Sequence, residues 1–266
     1  MDNPGFRCLT WNLLIQNQGP TDLSANPKYT KIEDKSILTQ KYRQNLICKR
    51  IDESNPDICC FQEVDLNQFE KDFENFFATY AYQRHHVDKK RKCPFGNVTM
   101  WKSDLFELDK SEFKPSADGL LTKLICKKTN FFVTICNVHL KANQKGKEIL
   151  CEKERISQIT SYITKSKIDF TSDKSEPMCI CGDFNDFLLD SSPLINVIKQ
   201  SKFIIADPQK TSYSYTANEY LSFDQICSHK LIIEVDPVPE LVPIPSATIP
   251  SDHFPIFFTI KRSQQF

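Results

Sequence analysis

Apolar runs in this sequence repeatedly stop at a side chain able to bind a metal ion or a phosphate. Asn12 follows "LTW", Glu63 follows "CCFQ", His139 follows "TICNV", and Asp183 and Asn185 follow "ICG". Asp224 follows "SF", and Asp252 and His253 stand just before "FPIFFTI". The stretch "MCICGDFND", Met178 to Asp186, states the problem most sharply. A run built for a dry interior ends in Asp183, Asn185 and Asp186, yet an unpaired buried carboxylate costs several kcal/mol or neutralises. These groups must therefore emerge into a cleft or meet a cation. Carboxylates, amides and imidazoles that converge at one sheet edge can together bind a metal ion or a phosphate.

The elements that must position them read as alternating strands and helices. "FRCLTWN" is a buried strand ending at Asn12, and residues 16–39 are a long polar loop with Gly19, Pro20 and Pro27. Tyr42, Leu46, Ile47 and Ile51 recur at helical spacing, closed by "SNP", before "DICCFQEV" returns as a strand. Phe69, Phe73, Phe76 and Phe77 predict an amphipathic helix with its rings in the core. Strands follow at "AYQRHHV", "GNVTMW", "LLTKLICKK" and "FFVTICNVHL", the last two joined by a two-residue turn at Thr129-Asn130. Ile149, Leu150, Ile156, Ile159 and Ile163 mark the apolar face of a long helix. A short helix near 193–200 and strands at "FIIAD", "SFDQICS", "LIIEV" and "FPIFFTI" complete a single domain spanning 1–266. Hairpins mixed with strand–helix alternation favour layered sheets with helices outside.

Composition narrows the setting. The 266 residues, 40% hydrophobic and 26% charged, are globular values. Lysine plus arginine equals aspartate plus glutamate at 34 each, so no global positive field marks a nucleic-acid binder. The basic run "DKKRK", Asp88 to Lys92, reads as a solvated loop. No apolar run is long enough to span a membrane, and the start "MDNPGFRCLTWN" lacks a secretory pattern. The 11 cysteines form no C-x-x-C pair and sit mostly in apolar runs, as free thiols do in the cytoplasm or nucleus.

In the order "LTWN", "FQEV", "NVHLKA", "GDFN", "FDQI" and "PSDH", these motifs resemble the endonuclease/exonuclease/phosphatase superfamily from Leu9 to about Ile260. "HLKA", "GDFN" and "PSDH" look most like its nocturnin and carbon-catabolite-repressor deadenylase branch. The resemblance implies an α/β fold: a four-layer sandwich of two mostly antiparallel mixed sheets flanked by helices. It also implies a Mg2+ ion, with Mn2+ as a substitute, held by Glu63 with Asn12 close by and Asp252 as a further ligand. Asp183 would orient or deprotonate the attacking water, and Asn185 would hold water and a phosphoryl oxygen. His253, oriented by Asp224, would donate to the phosphate, and His139 would contact a non-bridging oxygen. Lys141 of "HLKA" and Asn97 of "FGNV" are the candidate substrate contacts, with Gly96 allowing close backbone approach.

The leading expectation is a Mg2+-dependent 3′–5′ exoribonuclease, deadenylase-like, with Tyr213, Tyr215 and Tyr220 available to stack on bases. RNA or a phosphorylated nucleotide is the partner expected, with no membrane and no protein-interaction module. Alternatives are a nocturnin-like NADP(H) 2′-phosphatase, an inositol-phosphate phosphatase or DNA-repair phosphodiesterase, and an inactive RNA-binding scaffold. The chain departs from the branch in having Asn143 after "HLKA" where an arginine is usual, and in lacking Lys or Arg in "YSYTANEYLSF". "GNVTM" also replaces the branch's glycine–cysteine–alanine run. Losing a bidentate Arg fork weakens the case for a terminal-phosphate clamp.

Overall fold

Side chains alternate across a strand with a period of two, so a strand covered on both sides must be apolar on both. The central strands have this character. In β2 (Ile58–Asp65), Ile58 and Cys60 enter one apolar cluster while Cys59 and Phe61 enter another. In β8 (Met178–Asp183), Cys179 and Cys181 join the first cluster, and Met178 and Ile180 join a third. The first cluster is the layer between two sheets; the other two lie under helices on the outer faces.

A computed structural model describes residues 5–16, 23–86, 95–109, 119–188, 191–238 and 241–263. Among these, β1 (Phe6–Asn12), β2, β3 (Tyr80–His86), β4 (Phe95–Lys102), β13 (Leu231–Val235) and β14 (Ile256–Arg262) form one sheet in the order β13-β14-β1-β2-β4-β3. The second contains β5 (Phe106–Leu108), β6 (Gly119–Cys126), β7 (Phe132–His139), β8, β9 (Ile204–Ala206) and β12 (Asp224–His229), ordered β5-β6-β7-β8-β12-β9. A separate hairpin pairs β10 (Ser212–Ser214) with β11 (Glu219–Leu221).

Each six-stranded sheet has one parallel pair, β1–β2 and β7–β8, and antiparallel neighbours elsewhere. Parallel neighbours need a crossover. Helix α1 (Gln40–Ser54) supplies it for β1–β2, and α3 (Glu148–Lys165) for β7–β8. Ile47 and Ile51 of α1 pack on Leu9, Phe61 and Met100. Ile159 and Tyr162 of α3, with Leu194 and Ile198 of α4 (Pro193–Gln200), cover Cys136, Val138 and Ile180. Burying one such side chain contributes about 1.5–3 kcal/mol. The helix-closing role of "SNP" holds: Asn55 adopts the left-handed conformation (φ 45°) and its N–H donates to the Ile51 carbonyl at 2.8 Å.

Several sequence expectations require correction. The phenylalanine stripe yields only α2 (Phe69–Asp72) and a 3-10 turn at Glu74–Phe76, because Phe73 leaves helical geometry with φ −118°. Aromatics are indifferent helix formers, and Phe69, Phe73 and Phe76 are buried all the same. The β6–β7 connection is not a two-residue turn. The strands stop at Cys126 and restart at Phe132, with Asn130 left-handed at φ 52°. Ile149 and Leu150 lie on the solvent side of α3, 73% and 53% exposed, while Cys151, Arg155, Ile159 and Tyr162 form its inner face. The loop at 16–39 contains 3-10 turns at Leu23–Ala25, Pro27–Tyr29 and Lys35–Leu38. Its residues 17–22, and the basic run at 88–92, lie outside the described residues.

Gly182 is the one position in β8 where a side chain is forbidden. Its φ is +132°, and a Cβ there would lie 2.1 Å from the Val138 carbonyl oxygen. Gly182→Ala is therefore expected to lower stability by roughly 2–4 kcal/mol through backbone strain and overpacking. Urea unfolding with tryptophan fluorescence checks this, since an unchanged midpoint would show that the strand can shift without cost.

Candidate active site

Parallel strands present their carboxyl ends at the same sheet edge. The β1–β2 pair thus delivers Asn12 and Glu63, and β7–β8 delivers His139 beside Asp183 in direct register. β12 runs antiparallel to β8, so its first residue, Asp224, pairs with Asp183. The segment entering β14 adds Asp252 and His253 through a bridge from His253 to Ser212. Glu63 owes its direction to a register irregularity between Phe61 and Val64 and a left-handed φ of 53°. A bulge re-aims a side chain, and a non-glycine residue held in this conformation stores strain of about 1–3 kcal/mol. Asn185 is likewise left-handed, at φ 49°.

Glu63, His139, Asp183, Asn185, Asp252 and His253 line a cleft of about 250 Å3, with Asn12 and Asp224 buried behind them. Asp183, only 2% exposed, is its hub. One of its carboxylate oxygens accepts from the Asn12 amide at 3.0 Å and lies 3.7 Å from Nε2 of both His139 and His253. The other accepts from the Asn185 N–H at 2.9 Å. Burial raises the Asp183 pKa, against the pull of the two histidines. His253 shares a 2.7 Å hydrogen bond between Nδ1 and Asp224. Burial disfavours its charged form, but the Asp224 and Asp183 carboxylates outweigh this and hold its pKa well above the ordinary imidazole value. The Asn12 amide also donates to Glu63 Oε1 at 3.3 Å, and Glu63 Oε2 accepts from the Ile15 N–H at 3.2 Å. His139 Nε2 is 3.7 Å from Glu63 Oε1, and the Asn185 amide donates to the Leu140 carbonyl at 2.9 Å. Asp252 lines the cleft but accepts the Tyr29 hydroxyl at 2.9 Å.

No three His, Cys, Asp or Glu side chains among the described residues converge tightly enough to enclose a metal. The donors at the mouth are nonetheless hard carboxylate oxygens, those of Glu63 and Asp183; the Asn12 amide presents its NH2 to both, and its oxygen accepts the Leu14 N–H at 3.0 Å. Mg2+ needs only one or two carboxylates because it keeps several waters. The residues present fit that ion.

A buried frame holds the cleft, and most of it escaped the sequence reading. The Trp11 indole donates to the His253 carbonyl at 2.8 Å. Ser251 Oγ donates to the Asn12 carbonyl at 2.6 Å and accepts from the His253 N–H at 3.1 Å. Arg43, 3% exposed, donates to the Leu13 and Leu14 carbonyls, to Pro250 O at 2.6 Å and to Gln16 Oε1 at 2.7 Å. Gln62 donates across the two sheets to Asn137 Oδ1 at 2.8 Å, and Asn137 donates in turn to the Val98 carbonyl at 2.9 Å. Gln62, Asn137 and Ser251 stood inside motifs already noted. Arg43 and Tyr29 gave no local signal.

Four sequence expectations are not met at the cleft. Asn97 is fully buried and donates to the Asn137 carbonyl at 3.0 Å, so it joins the sheets and does not line the cleft. Lys141 turns to Glu154 on α3 at 3.4 Å; its neighbour Ala142 lines the cleft. Gly96 is needed by strand β3, not by a ligand: a Cβ there would lie 1.9 Å from the His85 carbonyl. Tyr213 and Tyr215 line the cleft, whereas Tyr220 packs behind Tyr213 at 5.0 Å between ring centres. Asp186 of the opening stretch pairs with the buried Arg155 at 3.3 Å.

The sequence is similar to known proteins over most of its length. It is 27% identical to the CCR4-Not complex 3′-5′-exoribonuclease subunit Ccr4 of Candida albicans, covering 68% of this chain and 27% of that protein. It is 24% identical to Protein angel homolog 2 of Mus musculus, covering 76% of this chain and 38% of that one. The chain thus spans well under half the length of these relatives. Among solved structures, the human Nocturnin catalytic domain with bound sulfate superposes with a TM-score of 0.66 at 19% identity, covering 98% of this chain and 96% of that one. ANGEL2, a 2′,3′-cyclic phosphatase, gives 0.73 at 16% identity, covering 97% and 95%. The Endonuclease/Exonuclease/phosphatase family matches residues 9–253, from the strand that carries Asn12 to His253 itself, and the chain belongs to that family.

Proposed function

We propose that this chain is a Mg2+-dependent phosphodiesterase that removes nucleotides from the 3′ end of RNA. The observation that carries the reading is the gathering of Asp183, His253 and Glu63 on one cleft, with Asp224 and Asn12 hydrogen-bonded behind them. The similarity to a 3′-5′-exoribonuclease subunit supports RNA as substrate. Tyr213 and Tyr215 offer aromatic surface on the cleft wall for bases.

Glu63 would hold Mg2+, which when bound neutralises phosphate charge and acidifies water, and the Asn12 amide would steady the Glu63 carboxylate beside it. Asp183 takes the proton of the attacking water at the oxygen facing the histidines, where burial makes the carboxylate more basic. The water oxygen bonds to phosphorus as the P–O bond to the preceding nucleotide's O3′ breaks, and the departing O3′ takes up a proton from solvent to leave a 3′-hydroxyl. His253, kept protonated by Asp224, donates from Nε2 to a phosphoryl oxygen as charge develops. His139 contacts a second oxygen. Asn185, pinned by Leu140, retains its other amide N–H for water or phosphate. Asp224 holds the His253 ring by its Nδ1–H and sustains its charge.

A substrate panel tests the assignment: 5′-labelled oligoadenylate, mixed-sequence RNA and DNA, RNA ending in a 2′,3′-cyclic phosphate, NADPH and inositol phosphates, each with Mg2+ and with EDTA. Stepwise shortening of RNA from its 3′ end, abolished by EDTA, is the expected result. Phosphate release from NADPH or an inositol phosphate with RNA left intact would overturn it.

A further inference from the structure

The cleft wall carries three carboxylates, Glu63, Asp183 and Asp252, and among its described residues a single lysine or arginine, Lys28. Nearby cations are already engaged. Lys141 pairs with Glu154, Arg155 with Asp186, and Arg43 with backbone carbonyls. Within Lys28's own segment, Lys31 donates to the Tyr215 carbonyl at 3.2 Å and Lys35 to the Tyr29 carbonyl at 2.5 Å. The Lys28 side chain is exposed, and its ammonium has no hydrogen bond or ion pair among the described residues.

Its backbone, by contrast, is tightly held. The Lys28 N–H donates to the Asn26 side chain at 3.0 Å, capping the short 3-10 turn that ends in Tyr29. Tyr29 is 2% exposed, packs with Leu14, Leu23, Ile37 and Leu38, meets Tyr215 edge-on at 6.2 Å, and bonds Asp252 beside His253. A polar loop thus becomes a fixed perch for one unspent positive charge at an acidic cleft.

We propose that Lys28 is the substrate clamp of this cleft, its ammonium engaging a backbone phosphate of single-stranded RNA next to the scissile one. This rests on the phosphodiesterase reading above. It also supplies a positive charge that "YSYTANEYLSF" and Asn143 do not provide. A lysine acts as a point charge on a flexible stem, so it adds affinity without fixing orientation. The contact is made equally in ground and transition states, which places its effect in KM and not in kcat.

The test compares wild type with Lys28→Ala, Lys28→Arg and, as a charge-loss control on the exposed face of α1, Lys49→Ala. Binding of a short fluorescein-labelled oligoadenylate is followed by anisotropy in EDTA at rising KCl, alongside Mg2+-supported turnover. Lys28→Ala is expected to weaken binding and raise KM about tenfold with kcat held within about twofold. It should also flatten the slope of log K against log salt by about 0.7, one phosphate's worth of released counterion on a single strand. Lys28→Arg should recover most of the loss, and Lys49→Ala should match wild type. A wild type that shortens RNA while Lys28→Ala keeps its KM and salt slope would sink the clamp alone. A wild type that neither binds nor shortens RNA would sink the phosphodiesterase reading, and the clamp with it.

Discussion

Asp183→Asn is expected to lower turnover at least a hundredfold while leaving the fold as stable as before or more so. The substitution keeps the side-chain volume and an oxygen able to accept the Asn185 N–H. It removes a negative charge that faces two imidazoles at 3.7 Å and accepts the Asn12 amide at 3.0 Å. An amide neither takes a proton from water nor sustains the charge of His253, and losing one preorganised electrostatic partner typically costs about 2.7–4 kcal/mol in the transition state. The stability argument has the opposite sign. The Asp183 pKa is raised in the fold, chiefly by burial, so its contribution to stability declines as pH rises through that value and its charge is a burden near neutrality. Replacing such a group relieves the burden, as expected where function requires a destabilised site. Steady-state rates paired with thermal unfolding check both halves. Near-normal turnover in a folded Asp183→Asn protein would remove Asp183 from the chemistry.

Arg43→Ala should have the largest effect on stability, and through it on activity. The guanidinium satisfies four acceptors from two loops: the Leu13 and Leu14 carbonyls and Gln16 after β1, and Pro250 before β14. The first loop follows Asn12, and the second leads into Asp252 and His253, so one side chain fixes the spacing between the two halves of the cleft. Truncation leaves these neutral acceptors buried with their donor removed, and at about 1–3 kcal/mol for each buried group left unsatisfied the loss is about 3–5 kcal/mol after partial relaxation. For a chain of this size the corresponding fall in melting temperature is about 10 °C. Arg43→Lys keeps the charge without the planar fork and should recover only part of it. An unchanged melting temperature for Arg43→Ala would show that other bonds hold the loops together.

What was legible in the sequence divides by range. Asn12, Glu63, His139 and Asp183 announced themselves because strand ends are visible as apolar runs, and parallel pairing carries such ends to one edge; Asp224 reaches the same edge as the first residue of antiparallel β12. Helices α1 and α3 were legible from apolar side chains at helical spacing, whereas the phenylalanine stripe breaks at Phe73. Side-chain direction at irregular backbone was not legible. The bulge at Glu63 and the turn of Lys141 toward Glu154 depend on partners far from any local pattern. Asn97 illustrates the ambiguity of a polar residue in a strand, since a ligand contact and an inter-sheet hydrogen bond call for the same amide. Ile149 and Leu150 do not share the face of Ile159, because the inner side of α3 begins at Cys151 and continues through Arg155 and Tyr162. Tyr29 and Lys28 lay in a segment that reads as loop, and only folding against Leu23, Ile37 and Leu38 gives them a place.

The most direct test of the central claim is the Mg2+ dependence of hydrolysis of an activated phosphodiester such as bis(p-nitrophenyl) phosphate. Bond cleavage at phosphorus is then measured apart from RNA recognition. Turnover that rises and saturates with Mg2+, vanishes in EDTA and is lost in Glu63→Gln is the result predicted. Hydrolysis that persists unchanged in EDTA, or at wild-type rate in folded Glu63→Gln, would contradict it.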